Sequence, residues 1–483
     1  MCGIIGLLGR RSVIDEIYLG LMTIQHRGQD AAGAITYDNR FNLKKGNGLV
    51  QNVFNEKNLA RLKGQMGIGH VRYPTAGGGG TEDAQPFYVN VPYGIAMAHN
   101  GNLTNYWHLR RELFEEDRRQ INSTSDSEVL LNVFAEELSR SSSPSLCAED
   151  IFRATEATFK RAQGSYSAVA TIANAGIVAF RDPHGIKPLV FGRRGRSSAF
   201  ASESVTMDVL GYKRWRDIQS GECIFIDCDG REYCRRITED VHTPCIFEWV
   251  YFARPDSIID GISVYEARLG LGRELASGVK ESGIVPDVVI PVPDTAKPAA
   301  LALSIALGIP FREGLIKNRY IGRTFIMAGR KERRKSIKMK LNPIRAEIEG
   351  KKVLLVDDSV VRGNTSRKII GLVREAGAEK VYFASSSPPL RHPCAYGIDM
   401  QTRGDFIARD KEPEKIKETI GADELIYQTM DGLLAGVTGK NGERSFCTAC
   451  FSGEYPTEIS KEAFHYMETD RLRKCLLTVS EDV

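Results

Sequence analysis

Val353-Leu-Leu-Val-Asp-Asp-Ser-Val-Val-Arg-Gly-Asn-Thr-Ser366 is the stretch whose pattern decides the fold of the second half of this chain. Four apolar residues make a short buried strand, and the chain then turns abruptly to two carboxylates, Asp357 and Asp358, and a polar loop. Beyond the loop Ile369, Ile370, Val373 and Ala376 recur at helical spacing, Gly377 supplies a stop, and Val381-Tyr-Phe-Ala384 reads as the next strand. Strand, loop, helix and strand in that order build an open α/β sheet, in which ligands bind beyond the carboxyl ends of the strands. A loop that leads into a helix start also offers free N–H groups and a positive dipole end to a phosphate. Neither GxxxxGK(S/T) nor GxGxxG is present here, which excludes a nucleoside triphosphatase loop and a dinucleotide fingerprint. Two acids beside a phosphate cradle suit a ligand with hydroxyls next to an anionic group and a divalent cation bridging them, as in a sugar phosphate.

Outside this stretch, 483 residues exceed the usual size of one core, so two domains are expected. A net charge of +4 is small for that length and argues against a general nucleic-acid or membrane surface. The longest apolar runs fall far short of a membrane span, and Met-Cys-Gly-Ile-Ile-Gly at the start lacks the regions of a secretory signal, so a cytoplasmic protein is expected. Ten scattered cysteines in a reducing compartment must be thiols, catalysts or metal ligands.

Cys2 is the second focus. Methionine before so small a side chain is commonly excised, which leaves one residue with both a thiol and a free α-amine. Such an amine has a pKa of about 7.7–8.0, near enough to neutrality to take the thiol proton and return it to a leaving group. Four polar clusters, the first three glycine-bearing, follow between apolar stretches: Gln25-His-Arg-Gly-Gln-Asp-Ala-Ala-Gly33, Gly69-His-Val-Arg-Tyr-Pro-Thr-Ala-Gly77, His99-Asn-Gly-Asn-Leu-Thr-Asn105 and Thr124-Ser-Asp-Ser-Glu128.

With Cys2-Gly-Ile, these clusters closely resemble the class II glutamine amidotransferase domain, and the resemblance continues through Arg181-Asp-Pro-His-Gly-Ile-Lys-Pro188 and Ala201-Ser-Glu-Ser204. It covers residues 2–235 and implies an αββα N-terminal-nucleophile hydrolase sandwich that releases ammonia from glutamine. Cys2 then matches the nucleophile, and Asn100 with the Gly101 N–H the oxyanion hole. Arg72 matches the grip on the glutamine α-carboxylate and Asp126 the acid that holds its α-amine.

The stretch at 353–366 likewise resembles the phosphoribosyl pyrophosphate (PRPP) motif of type I phosphoribosyltransferases. That implies a second domain over 245–440 with a mainly parallel sheet, opening near Cys245-Ile-Phe-Glu-Trp-Val-Tyr-Phe-Ala-Arg-Pro-Asp256. By this resemblance Asp357 and Asp358 meet the ribose hydroxyls and Mg2+, while Arg362, Gly363, Asn364, Thr365 and Ser366 wrap the 5'-phosphate. Many members have Thr where this chain has Asn364. In Asp287-Val-Val-Ile-Pro-Val-Pro-Asp-Thr-Ala296 a strand runs into a loop, and Thr295 matches a hydroxyl directed to Mg2+ and pyrophosphate. Lys317-Asn-Arg-Tyr-Ile-Gly-Arg-Thr-Phe325 resembles the lid that closes over PRPP and excludes water. Seven of the eleven residues from Arg330 to Lys340 are basic, which fits a solvated face, nucleic acid or phosphate contacts; Lys340 resembles a PRPP-contacting lysine.

Cys447-Thr-Ala-Cys450 has ligand spacing, and spacing alone leaves structural zinc and an iron-sulfur cluster equally open. One branch of the glutamine phosphoribosyl pyrophosphate amidotransferases has cysteines matching Cys245, Cys394, Cys447 and Cys450, which bind a 4Fe-4S cluster that ties a C-terminal tail, here 441–483, to the second domain. This chain shows no short propeptide before Cys2, unlike cluster-bearing members that are cleaved, so loss of Met1 is expected to suffice. Cys147, Cys223, Cys228, Cys234 and Cys475 read as ordinary buried or surface thiols.

The two resemblances together span nearly the whole chain. They imply that ammonia from glutamine displaces pyrophosphate from PRPP to give 5-phosphoribosylamine, the first step of purine synthesis, in a homotetramer open to inhibition by purine nucleotides. A class II amidotransferase with another acceptor, such as a hexose phosphate, shares only the first half, and the Asp357–Ser366 loop argues against it. A non-catalytic PRPP-binding regulator shares only the second half, and the set Cys2, Arg72, Asn100 and Asp126 argues against that.

Overall fold

A computed structural model describes all residues except 74–79, 142–145, 319–340, 401, 440–443 and 470–483. The basic run 330–340 with Lys340, most of the lid stretch 317–325 and Cys475 therefore lie outside the described residues.

The first half consists of two antiparallel sheets stacked face to face. One has seven strands in the order Arg214–Asp217, Val190–Arg194, Ser197–Ala201, Gly3–Leu8, Met66–Arg72, Ala31–Tyr37 and Phe41–Asn47. The other has six, in the order Glu232–Arg236, Glu222–Asp227, Gly176–Arg181, Gly164–Ile172, Ile95–Leu103 and Phe87–Val89. Period-two alternation decides which layer each side chain enters. Ile4 and Leu8 fill the space between the sheets with Ile68, Ala96, Ala98 and Val169. Ile5 and Leu7 point the other way, onto Ile17 and Leu21 of the helix Ile14–Thr23. On the far side Ile95 and Met97 meet Val129, Val133 and Phe134 of Asp126–Ser139 and Ile151 of Ala148–Arg161. The result is the expected αββα sandwich.

The second half is built on four parallel strands in the order Val288–Pro291, Lys352–Asp357, Lys380–Ser385 and Glu424–Tyr427. Val264–Glu281 and Lys297–Leu307 cover one face, where Leu275, Val279, Ala300 and Leu303 pack on Leu354 and Val356. Asn364–Glu375 and Pro413–Ile420 cover the other, with Ile369, Ile370, Val373 and Ile416 on Val353, Leu355 and Phe383. Burial on both faces is why Val353–Val356 is a continuous apolar run and not an alternating one.

The segment after residue 443 folds back on the start of the second half. Cys447 donates its N–H to the Pro244 carbonyl at 2.9 Å, and Ile246 donates to that of Cys447 at 3.3 Å. No helix among the described residues is long and apolar enough to cross a membrane.

Candidate active sites

The backbone N–H of Cys2 donates to Asn100 Oδ1 at 3.0 Å, and the thiol sulfur lies 3.5 Å from the Tyr73 nitrogen, which donates to it. Cys2 precedes the central strand of one sheet, and Asn100 and Gly101 lie in Ile95–Leu103 of the other, so the stacking of the sheets sets their separation. Asn100 Nδ2 is buried and has no hydrogen-bond partner among the described residues. A buried donor left open costs free energy, and an oxyanion formed beside Cys2 would satisfy it.

Arg72 ends the strand paired with Gly3–Leu8 and is buried, with its guanidinium 3.8 Å from Asp83. Asp126 opens the helix Asp126–Ser139 and is also buried; its Oδ2 accepts the Leu103 N–H at 3.0 Å and stands 3.5 Å from His99 Nε2. Burial alone would raise its pKa, but His99 and the Leu103 N–H outweigh burial and hold it below the usual carboxylate value. A charged carboxylate here suits an ammonium ligand. Cys2, Arg72, Asn100, Gly101 and Asp126 are thus gathered on neighbouring strands and one helix start.

Behind Cys2 lies a network that the sequence did not announce. Arg27 Nε donates to the Cys2 carbonyl at 2.9 Å, and its two terminal nitrogens bind Glu203 at 2.6 Å and Glu248 at 2.6 Å and 3.0 Å. Glu203 also accepts from the Ser257 hydroxyl at 2.7 Å and the Arg254 N–H at 3.0 Å, and its Oε1 lies 2.7 Å from His26 Nε2. Burial would raise the Glu203 pKa, yet His26 and Arg27 hold it far below the usual range. The two halves of the chain are thereby pinned together beside Cys2.

In the second half Asp357 and Asp358 stand at the carboxyl end of Lys352–Asp357, both buried. Asp358 N–H donates to Asp357 Oδ1 at 2.9 Å, and Asp358 Oδ1 accepts from the Ser359 hydroxyl at 2.7 Å. Burial and then the Asp358 charge raise the Asp357 pKa well above normal, and burial pushes Asp358 up to about 6 against Ser359 and Arg268. Arg268 does not bridge to the pair; it donates to the carbonyls of Trp249, Tyr251 and Ala253 at 2.9, 3.0 and 2.8 Å. Two buried acids under such strain suit a hydrated divalent cation that takes its remaining ligands from substrate oxygens.

Gly363 has φ +70, which favours glycine, and a β-carbon there would meet Ile407 Cδ1 at 2.4 Å, so a larger residue would strain the loop's approach to the helix start. Asn364 and Thr365 are exposed at the first turn of Asn364–Glu375, Ser366 is buried beneath them, and Arg362 is exposed on the loop. Thr295 lies half-buried in the turn between Val288–Pro291 and Lys297–Leu307. Pro291 pairs with Val356, so this turn and the acid pair share one end of the sheet.

Cys245, Cys394, Cys447 and Cys450 are all buried in one apolar cluster with Trp249, Tyr396 and Phe451. Cys245 and Cys447 face each other across a backbone bridge, and burial and then the Cys245, Cys394 and Cys447 charges raise the Cys450 thiol pKa well above normal. Burial likewise pushes Cys245 up to about 11. Among the described residues no three His, Cys, Asp or Glu side chains are disposed to hold a metal ion. Of the other thiols, Cys223 is buried and Cys147, Cys228 and Cys234 are exposed.

Family models match both halves: a glutamine amidotransferase domain over residues 76–208 and a phosphoribosyl transferase domain over 263–393. The chain is 50% identical over 483 residues to the amidophosphoribosyltransferase of Escherichia coli, covering 98% of this chain and 96% of that one. It is 43% identical over 501 residues to that of Saccharomyces cerevisiae, covering 100% and 97%. Among solved structures it is similar to the glutamine PRPP amidotransferase of B. subtilis complexed with ADP and GMP, at 39% identity and a TM-score of 0.86, covering 95% of this chain and 98% of that one.

Proposed function

Because the chain belongs to the amidophosphoribosyltransferases, we propose residue roles for the reaction that converts PRPP, glutamine and water to 5-phosphoribosylamine, pyrophosphate and glutamate. With residue 1 removed, the Cys2 α-amine takes the thiol proton and the thiolate attacks the glutamine carboxamide carbon. Asn100 Nδ2 and the Gly101 N–H receive the oxyanion, while Arg72 and Asp126 hold the substrate's α-carboxylate and α-ammonium. The C–N bond breaks, the amine returns its proton to the departing ammonia, and water hydrolyses the thioester to glutamate.

Ammonia then passes between the joined halves and displaces pyrophosphate from C1 of PRPP. Asp357 and Asp358 hold the ribose hydroxyls, and the Arg362–Ser366 loop with the following helix start holds the 5'-phosphate. Mg2+, which neutralises the departing pyrophosphate when bound, would be held by Asp357, Asp358 and Thr295; Lys340 would contact PRPP. Cys245, Cys394, Cys447 and Cys450 would hold a 4Fe-4S cluster that is structural, since neither half-reaction moves electrons. What supports this is the convergence of four buried thiols in one cluster, two of them on the returning tail. Purine nucleotides would act as feedback inhibitors, a reading supported by the ADP and GMP in the B. subtilis relative; flat activity across titrations with AMP, GMP and ADP would dispose of it. The enzyme would work in the cytoplasm as a homotetramer, which light scattering checks.

The observation that carries the glutaminase assignment is the Asn100 amide, whose oxygen is engaged by the Cys2 nitrogen while its NH2 group is buried and open. The test is glutamate and pyrophosphate release by anaerobically purified protein with and without PRPP, beside Cys2→Ala supplied with ammonia. Near one-to-one, PRPP-dependent release and an ammonia-active variant are expected. Glutamate release indifferent to PRPP, with no pyrophosphate, would overturn the coupling.

A further inference from the structure

Glu248–Phe252 is a single π-helical turn near the start of the second half, and the residues at both its ends reach the ion pairs behind Cys2. Glu248 binds Arg27 at 2.6 Å and 3.0 Å. Just beyond the turn the Arg254 N–H and the Ser257 hydroxyl donate to Glu203, the other carboxylate on Arg27, at 3.0 Å and 2.7 Å. Arg27 in turn donates its Nε to the Cys2 carbonyl at 2.9 Å. Both carboxylates that orient Arg27 therefore depend on where the stretch 248–257 lies.

A π-helical turn is rare and is found mostly at functional sites. In this one the Glu248 carbonyl accepts the Ala253 N–H at 3.0 Å, and the same spacing would give the Trp249 carbonyl the Arg254 N–H, which goes to Glu203 instead. Arg268, buried on the helix Val264–Glu281, takes the vacated place: its Nε donates to the Trp249 carbonyl at 2.9 Å. Its Nη2 donates to the carbonyls of Tyr251 and Ala253 at 3.0 Å and 2.8 Å. One rigid guanidinium fork thus fixes three carbonyls of a single turn, which a lysine ammonium cannot do.

We propose that Arg268 is a positioning residue of the glutaminase reaction: from the second half it clasps this turn, leaves the Arg254 N–H free for Glu203, sets Glu248, and through Arg27 fixes the Cys2 carbonyl. The inference rests on Cys2 being the nucleophile. Every link from Arg268 to Cys2 is a hydrogen bond of 2.6–3.0 Å. Without the guanidinium, the Arg254 N–H is drawn back to the Trp249 carbonyl and away from Glu203, and Arg27 loses its setting. The close-packed interior passes that displacement on to the residue it holds.

The test is a double-mutant cycle on glutamine kcat at saturating PRPP, with wild type, Arg268→Met, Glu248→Gln and the double variant, and with ammonia-dependent pyrophosphate release measured for each. Arg268→Met is expected to lower glutamine kcat about ten- to hundred-fold, with glutamine KM nearly unchanged and ammonia-dependent synthesis largely kept. Glu248→Gln is expected to be slowed as well, and the double variant to be little slower than the slower single, because both changes cut one line to Cys2. A Glu248→Gln variant as fast as wild type, losses that multiply, a loss confined to KM, or an equal loss of ammonia-dependent synthesis would each overturn the proposal. Arg268→Lys keeps the charge but not the fork and is expected to share most of the loss; wild-type rates in it would also overturn the clasp. If Arg268→Met is insoluble, Arg268→Lys takes its place in the cycle. Glutaminase activity persisting in Cys2→Ala, assayed alongside, would sink the Cys2 reading itself, separately from the role of Arg268.

Discussion

Gly397 sits against the carbonyl of Gly101: a β-carbon at residue 397 would fall 2.7 Å from that oxygen, and the backbone there has φ +91. Its neighbours reinforce the contact, since the Ala395 carbonyl accepts from Asn102 Nδ2 at 2.8 Å and the Tyr396 carbonyl from the Ser165 hydroxyl at 3.1 Å. A loop of the second half thus buttresses Ile95–Leu103, the strand that carries the proposed oxyanion donors. Gly397→Ala is expected to lower glutamine kcat/KM about ten- to hundred-fold, roughly 1.4–2.7 kcal/mol, while ammonia-dependent pyrophosphate release changes little. Equal losses in both assays would refute the buttress.

Asn100→Ala removes the open Nδ2 donor and the acceptor of the Cys2 nitrogen. Glutamine kcat should fall by about 10²–10³, with KM nearly unchanged because Arg72 and Asp126 still hold the substrate. Steady-state glutamate release gives both constants, and a loss confined to KM would remove Asn100 from the oxyanion hole.

The acid pair makes the ligand-free protein sensitive to pH. Asp358 titrates near 6 when folded, above its ordinary 3.8, so its contribution to stability is present below that ordinary value and is lost as pH rises through about 6. Asp358→Asn cannot ionise and should be more stable than wild type at pH 7.5, by on the order of 1–3 kcal/mol. Mg2+ with PRPP should raise the Tm of the wild type but not of the variant, which should also lose synthesis. A variant less stable than wild type at pH 7.5 would show that the pair is relieved in some other way.

Arg27→Met strands Glu203 and Glu248 in the interior, and loss of one partner of a buried ion pair costs about 3–5 kcal/mol. Urea unfolding should record that loss, and Arg27→Met with Glu248→Gln should recover part of it. Glu203 has the opposite sign to Asp358: its folded pKa is depressed, so its contribution is present above the ordinary 4.5 and declines as pH falls below that. A wild-type stability that is flat below pH 4.5 would contradict this assignment.

Anaerobically purified protein should carry about four irons per chain, and Cys394→Ser should lose them. Because Cys394 is three residues from Gly397, the same variant should lose glutamine-dependent activity before ammonia-dependent activity. Zinc without iron in elemental analysis would overturn the cluster.

The strand-loop-helix at 353–375 could be read directly, because a buried parallel strand must be apolar on both faces and the helix that covers it must repeat its apolar residues every three to four positions. Asp357 and Asp358 stood out as charges where the core pattern stops. Arg72 and Asp126 were legible through the resemblance of their clusters, not through any local period. Arg27 was not singled out, although it lies in one of those clusters, since nothing near it in the chain indicates Glu203 or Glu248, 176 and 221 residues away. Gly397 was hidden because what matters is the atom it lacks.

Met1 is 1% exposed, and its amino group is buried between Lys187, Arg27 and Glu248. An exopeptidase needs a loose chain end, and the folded protein does not present one. On the proposed role of Cys2, excision would then have to happen on the nascent chain, before the second half closes over the first. Folding and maturation would compete in time, and a chain that folds first would be stored as an intact but silent copy. Slowing translation, or raising the supply of methionine aminopeptidase, should then increase the active fraction of a preparation without altering a single contact in the molecule.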